Sequence, residues 1–285
     1  MASTASPFWQ QVVRDGLRVP TERPLADMTA ELTTMLGSID PELRDGIAYP
    51  TLATWIGRGV YDDLLSGLGD GMVAGLAVGL GEQGTDSVFR RAFSVLLLAG
   101  CLSRNNEVDR LSADKILEWG DRLAAWYVRE QDLRAYVPGQ GWAHAIAHGA
   151  DALAALAASP HLHKPELTVL LDVIADRVLL PVQQVFTSGE PDRLAAATMT
   201  VLRRNVVPLS VLEPWVARLA GVAARPPHRD VDPFLTTGNP ETFLRALYLA
   251  LSLAPRQPTC RADLLLNLVD ALRMTNPFYF TDASN

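Results

Sequence analysis

Apolar residues recur along the chain at three- and four-residue spacing, and alternation with period two is almost absent. Residues 85–102, TDSVFRRAFSVLLLAGCL, set Val88, Phe89, Ala92, Phe93, Leu96 and Ala99 along one broad face. Residues 112–131 do the same with Ile116, Trp119, Leu123, Trp126 and Tyr127, and Ser112 is placed to cap that helix with its hydroxyl. VQQVF near residue 184 reads as the continuation of a helix, so no strand is predicted. Residues 67–84 are rich in glycine but lack the spacing of a phosphate loop, and predict a helix lying close against a neighbour.

Proline marks the helix starts. Asp40-Pro41-Glu42, Lys164-Pro165-Glu166, Glu190-Pro191-Asp192 and Asn239-Pro240-Glu241 share one logic. Proline fits a first turn, where its missing N–H costs nothing, and an acid there faces the positive end of the helix dipole. About a dozen helices with short connections follow, hence antiparallel neighbours. The predicted fold is all-α: an α/α superhelix of antiparallel helix pairs resembling a degenerate HEAT-like solenoid. Residues 1–23 are expected to form an N-terminal helix and linker, and residues 24–285 one superhelical domain. Residues 224–241 form the longest irregular stretch, and the tail NPFYFTDASN is expected to pack its aromatics and then fray.

Composition narrows the class. The 285 residues are 48% hydrophobic and 20% charged, which suits a packed globular chain and not a disordered one. A net charge of −7 disfavours binding to nucleic acid. The N-terminus lacks the apolar core of a signal peptide, and the apolar runs fall short of a membrane span, so a cytoplasmic protein without a membrane partner is expected. Cys101 and Cys260 are too few and too distant for a disulfide framework, and Cys101 reads as a buried thiol.

Candidate chemistry concentrates in GQGWAHAIAHGADALAAL, residues 139–156. On a helical wheel His144, His148 and Asp151 fall within an arc of about 60°. Trp142, Ile146 and Leu153 lie opposite, so Trp142 is expected in the core, where truncation costs about 3–5 kcal/mol. The preceding helix ends at Glu130, with Asp132 and Arg134 just beyond. In an antiparallel pair these three stand near His144 at the rim of a pocket. Arg44 and Asp45 read as a surface pair, and Arg90 and Arg91 as a solvated face, the alternative being that one of the two faces the acidic cluster.

Three readings of the stripe stand side by side. His144, His148 and Asp151 have the spacing of metal ligands, and a divalent ion such as zinc is the one cofactor this suggests. Ala145 follows the first histidine where zinc proteases carry glutamate, which excludes that family. The same residues suit a metal-free pocket for a small molecule or a peptide, or a hydrogen-bonded network between helices. GWAHAIAHGAD, with EQDLRAY, DPELRDGIAYPTLATWI and SVFRRAFSVLLLAG, resembles a bacterial family described only as a domain of unknown function, all-helical and HEAT-like. That resemblance covers most of the chain and implies no activity. The family pattern carries glycine after the arginine of the DLR element, where this chain has Ala135. The expected function is an α-solenoid binding protein that holds a small molecule or peptide in a concave acidic pocket formed by Glu130, Asp132, Arg134, Trp142, His144, His148 and Asp151. The alternatives are a metal-dependent hydrolase using His144, His148 and Asp151 as ligands, and a scaffold without a ligand.

Overall fold

A computed structural model describes residues 6–225 and 232–277. The chain gathers into two compact units, residues 1–159 and 160–285, so the helix and linker expected over residues 1–23 lie within the first unit.

The first unit opens with α1 (Pro7–Arg14) and α2 (Leu25–Met35). A short α3 (Pro41–Leu43) passes through a π-helical turn (Arg44–Ala48) into α4 (Tyr49–Gly57). Then come α5 (Leu65–Gly75), α6 (Ser87–Val108) and α7 (Ala113–Arg129), a hairpin of β1 (Tyr136–Val137) and β2 (Gly141–Trp142), and α8 (Ala145–Ala157). The centre of the unit is α6, which packs against α4, α5 and α8. Its run AFSVLLLAGCL is apolar on every side, and a helix apolar all round can only be an interior one. Phe89, Phe93, Val95, Leu98 and Leu102 are accordingly buried. The stripe predicted on α7 is the buried one: Ile116, Trp119, Leu123, Trp126 and Tyr127 all face inward. Ser112 caps the helix, its hydroxyl accepting from the Lys115 N–H at 3.3 Å.

In the second unit α9 (Lys164–Leu179), α10 (Glu190–Arg203), α11 (Leu209–Ala223), α12 (Phe234–Leu253) and α13 (Arg261–Thr275) surround a core that includes Ile174, Leu194, Trp215, Phe243 and Leu264. Here α12 packs on the other four helices.

Three of the four proline signals are helix starts, at Pro41, Pro165 and Pro191. The fourth is not: Asn239-Pro240-Glu241 lies inside α12. The start is an earlier Asp232-Pro233 step, where the Asp232 carboxylate accepts from the Phe234 N–H at 3.0 Å. Much of the stretch expected to be irregular is therefore helix, while residues 226–231 and the tail from 278 lie outside the described residues. Residues 182–186 do not continue α9. Their backbone turns to α12, with the Val182 N–H donating to the Leu235 carbonyl and the Phe186 N–H to Asn239 Oδ1. One hairpin stands where no strand was predicted.

Among the described residues no helix is long and apolar enough to cross a membrane. Cys101 is fully buried in α6, and burial pushes its thiol up to about 12. The glycine-rich stretch does bring helices close. At Gly69 in α5 an added Cβ would stand 2.1 Å from the Trp119 ring, whereas Gly71, half a turn away, has open space. Gly69→Ala is therefore expected to cost about 1–3 kcal/mol through overpacking. Gly71→Ala should gain about 0.5–1 kcal/mol from helix propensity. Paired urea melts check both signs.

Candidate functional site

The end of α7 is fixed by a buried charge. Glu130 and Arg91 have fully buried side chains and form a two-pronged ion pair, with Arg91 Nε donating to Glu130 Oε2 at 2.5 Å and Nη2 to Oε1 at 2.9 Å. The same carboxylate accepts from Trp126 Nε1 at 3.1 Å and from the backbone N–H groups of Gln131 and Asp132 at 3.0 and 2.9 Å. Arg91 Nη1 donates to the carbonyls of Val78 and Gly79 and to Ser87 Oγ. Arg91 is thus not on a solvated face. It is fully buried on α6 and needs a buried acid to be there at all.

Asp132 extends this network. Its carboxylate closes a turn on the Arg134 N–H, accepts from the Arg134 guanidinium at 2.7 to 3.1 Å, and takes the Gly84 N–H at 2.9 Å. Those hydrogen bonds raise the guanidinium's affinity for its proton. Arg134 Nη2 donates onward to the Thr85 carbonyl at 2.6 Å. The three residues expected at a pocket rim join the loop around residues 78–85 to the end of α7.

From Arg134 the chain enters the hairpin. Val137-Pro138-Gly139-Gln140 has the pattern of a type II turn, with Gly139 at φ 79° and the Gln140 N–H donating to the Val137 carbonyl. Ala135 lies before this turn and accepts from the Ala143 N–H, so its departure from the family glycine sits in paired backbone. Arg44 holds the hairpin from behind. It is fully buried, its guanidinium lies 4.1 Å from the Phe89 ring centre, and Nη2 donates to the Gln140 carbonyl at 2.6 Å and to Asp45 at 2.7 Å. Arg44 is not the surface residue its sequence suggested. Burial lowers the Arg44 pKa and raises that of Asp45, outweighing their mutual attraction on both sides.

Trp142, His144 and His148 do not share one helix, because α8 begins only at Ala145. Trp142 is in β2 and 45% exposed, which overturns its placement in the core. His144 is the residue before the helix and has a left-handed backbone, φ 57° and ψ 33°. Its ring stacks on Trp142 at 4.7 Å between centres and 25° between planes. On the far side it meets His148 at 5.8 Å. The series continues inward from His148 to Phe93 at 5.5 Å and from Phe93 to Tyr49 at 6.0 Å, and outward from Trp142 to exposed Tyr136 at 5.2 Å. His148 is buried against α6, with Nδ1 3.1 Å from the Ala92 carbonyl. A carbonyl only accepts, so Nδ1 carries a proton. Asp151 lies one turn further along α8 and is half-buried. The motif glycine, Gly149, lets α8 approach α7, where a Cβ would stand 2.3 Å from the Tyr127 ring. Among the described residues, His144, His148 and Asp151 included, no group of three or more His, Cys, Asp and Glu side chains is arranged to hold a metal ion.

Sequence reasoning placed Arg44 at the surface, favoured a solvated Arg91 over one that faces the acidic cluster, and gave Tyr49 no role. The available signal was an arginine set inside an apolar helix, in SVFRRAFSV, beside a helix ending in a lone glutamate.

Three substitutions separate anchor from site. Glu130→Ala is expected to cost about 3–5 kcal/mol, because it strands a buried guanidinium. Trp142→Ala should cost less than about 1 kcal/mol, as at a half-exposed position outside the core. His144→Gly should leave stability unchanged or raised by up to about 1 kcal/mol, since glycine adopts the left-handed backbone without strain. Urea melts of the three variants rank them.

A family described as a protein of unknown function, DUF2785, matches residues 76–249. No curated protein and no solved structure matches the chain. The matched segment begins in the turn after α5 and includes Arg91, Glu130, the hairpin and both imidazoles. On that match, which spans more than half of its length, the chain belongs to the DUF2785 family.

Proposed function

We propose that the protein is a binding protein, and that a small molecule or peptide is held on the face formed by Tyr136, Trp142, His144 and His148. The observation that carries this reading is His144. A histidine at φ 57° is uncommon and costs stability unless its surroundings impose it. Here the imposed conformation sets an imidazole between an exposed indole and a second, buried imidazole. An amphipathic aromatic left 45% exposed beside it offers a flat apolar surface and a polar edge. A ligand with a planar or apolar part to lie against Trp142 and a polar group to meet the imidazoles suits this surface.

The scaffold suits such a role. In the first unit α6 packs on α8 and α5 on α7, and in the second α10 packs on α12 and α11 on α13. Contact between every second helix supports a HEAT-like stack of helix pairs within each unit as the support for this face.

The test is a thermal-shift screen of wild-type protein against a panel of metabolites and dipeptides. A ligand that binds only the folded state raises the melting temperature with concentration. At least one compound is expected to do so and to lose most of its effect in both Trp142→Ala and His144→Gly. Stabilisation that persists equally in both variants contradicts this site.

A further inference from the structure

We infer a second binding site, for an amphipathic organic acid, in the cleft between α5 and α7. This cleft has a volume of about 360 Å³. Its floor and inner wall are apolar, formed by Val73, Leu76, Ala77 and Leu80 on one side and by Ala125 and Trp126 on the other. Arg122 and Arg129 line it as well, two turns apart on α7. Among the described residues neither guanidinium has a hydrogen-bond or ion-pair partner. Two acids line the cleft as well and are already engaged: Asp70 accepts from Lys115 and from Trp119 Nε1, and Glu118, one turn before Arg122 on α7, accepts from Lys115.

Charge complementarity names the occupant. A chain of net charge −7 has placed two unpaired arginines over one apolar floor. Guanidinium groups recognise carboxylates through paired N–H donors. An unbranched apolar chain ending in a carboxylate therefore meets the cleft on both counts: the head between the arginines and the chain along Val73, Ala77 and Leu80. This site is independent of the histidine face, with which it shares no lining residue.

Decanoate is the probe. In a ¹⁵N-labelled sample, decanoate is expected to shift the indole N–H signal of Trp126 saturably and to leave that of Trp142 unmoved. Calorimetry on the same protein gives the dissociation constant. Arg122→Glu/Arg129→Glu should weaken binding by at least tenfold, and Ala125→Trp, which fills the cleft without changing charge, should abolish the Trp126 shift. Decyltrimethylammonium, with the same chain and the opposite charge, should not reproduce it. His144→Gly should bind decanoate as the wild type does. A Trp126 signal unmoved by decanoate, or moved as much by the cation or in the double arginine variant, overturns the proposal.

Discussion

The first unit depends on one buried contact, the ion pair between Arg91 and Glu130. Five donors converge on the Glu130 carboxylate: two from Arg91, one from Trp126 and the backbone N–H groups of Gln131 and Asp132. A buried pair of this kind adds little net stability over well-packed apolar side chains, but removing either member leaves an uncompensated charge. Its contribution is to position. It ends α7, fixes the loop around residues 78–85 through Arg91 Nη1, and starts the turn from which Asp132 and Arg134 reach back to Gly84 and Thr85. The hairpin and His144 follow directly, with the His144 N–H donating to the Arg134 carbonyl.

Position then becomes chemistry. A strained residue needs rigid surroundings to persist, and His144 has them: the Arg134 carbonyl on one side, Trp142 stacked on its ring, and His148 beyond, itself tied to the Ala92 carbonyl of the central helix. Arg44 closes the back of the hairpin with its guanidinium over Phe89. Glu130, Asp132 and Arg134 join the end of α7 to the loop around residues 78–85, and Trp142 and His144 stack on one another beside them, with His148 buried beneath.

The helical class was legible because periodicity and proline placement are local signals. The apolar stripe of α7 and its Ser112 cap follow from side-chain spacing alone. What sequence misplaced were residues whose surroundings come from far along the chain. Helical spacing extended back through His144 put Trp142 in the core, yet the Pro138-Gly139 turn stops the helix short and returns Trp142 as a strand residue paired with Tyr136. Arg91, on the favoured reading, and Arg44 go to solvent because arginine usually does. Their partners, Glu130 and the Gln140 carbonyl, are 39 and 96 residues away, and only the fold brings them together. Asn239-Pro240-Glu241 carried a true start signal that lost to Asp232-Pro233 upstream, since a helix once begun can pass through a proline whose neighbours are otherwise bonded.

Hydrogen exchange of wild-type protein and Glu130→Gln, read peptide by peptide at a temperature where both are folded, tests the central claim most directly. Replacing the charge with an amide keeps the shape and removes the ion pair. Protection is expected to fall in residues 78–85 and in the hairpin 134–144, while α10–α13 in the second unit exchange as before. Unchanged protection in the hairpin, or an equal loss across both units, would contradict the role assigned to the buried pair.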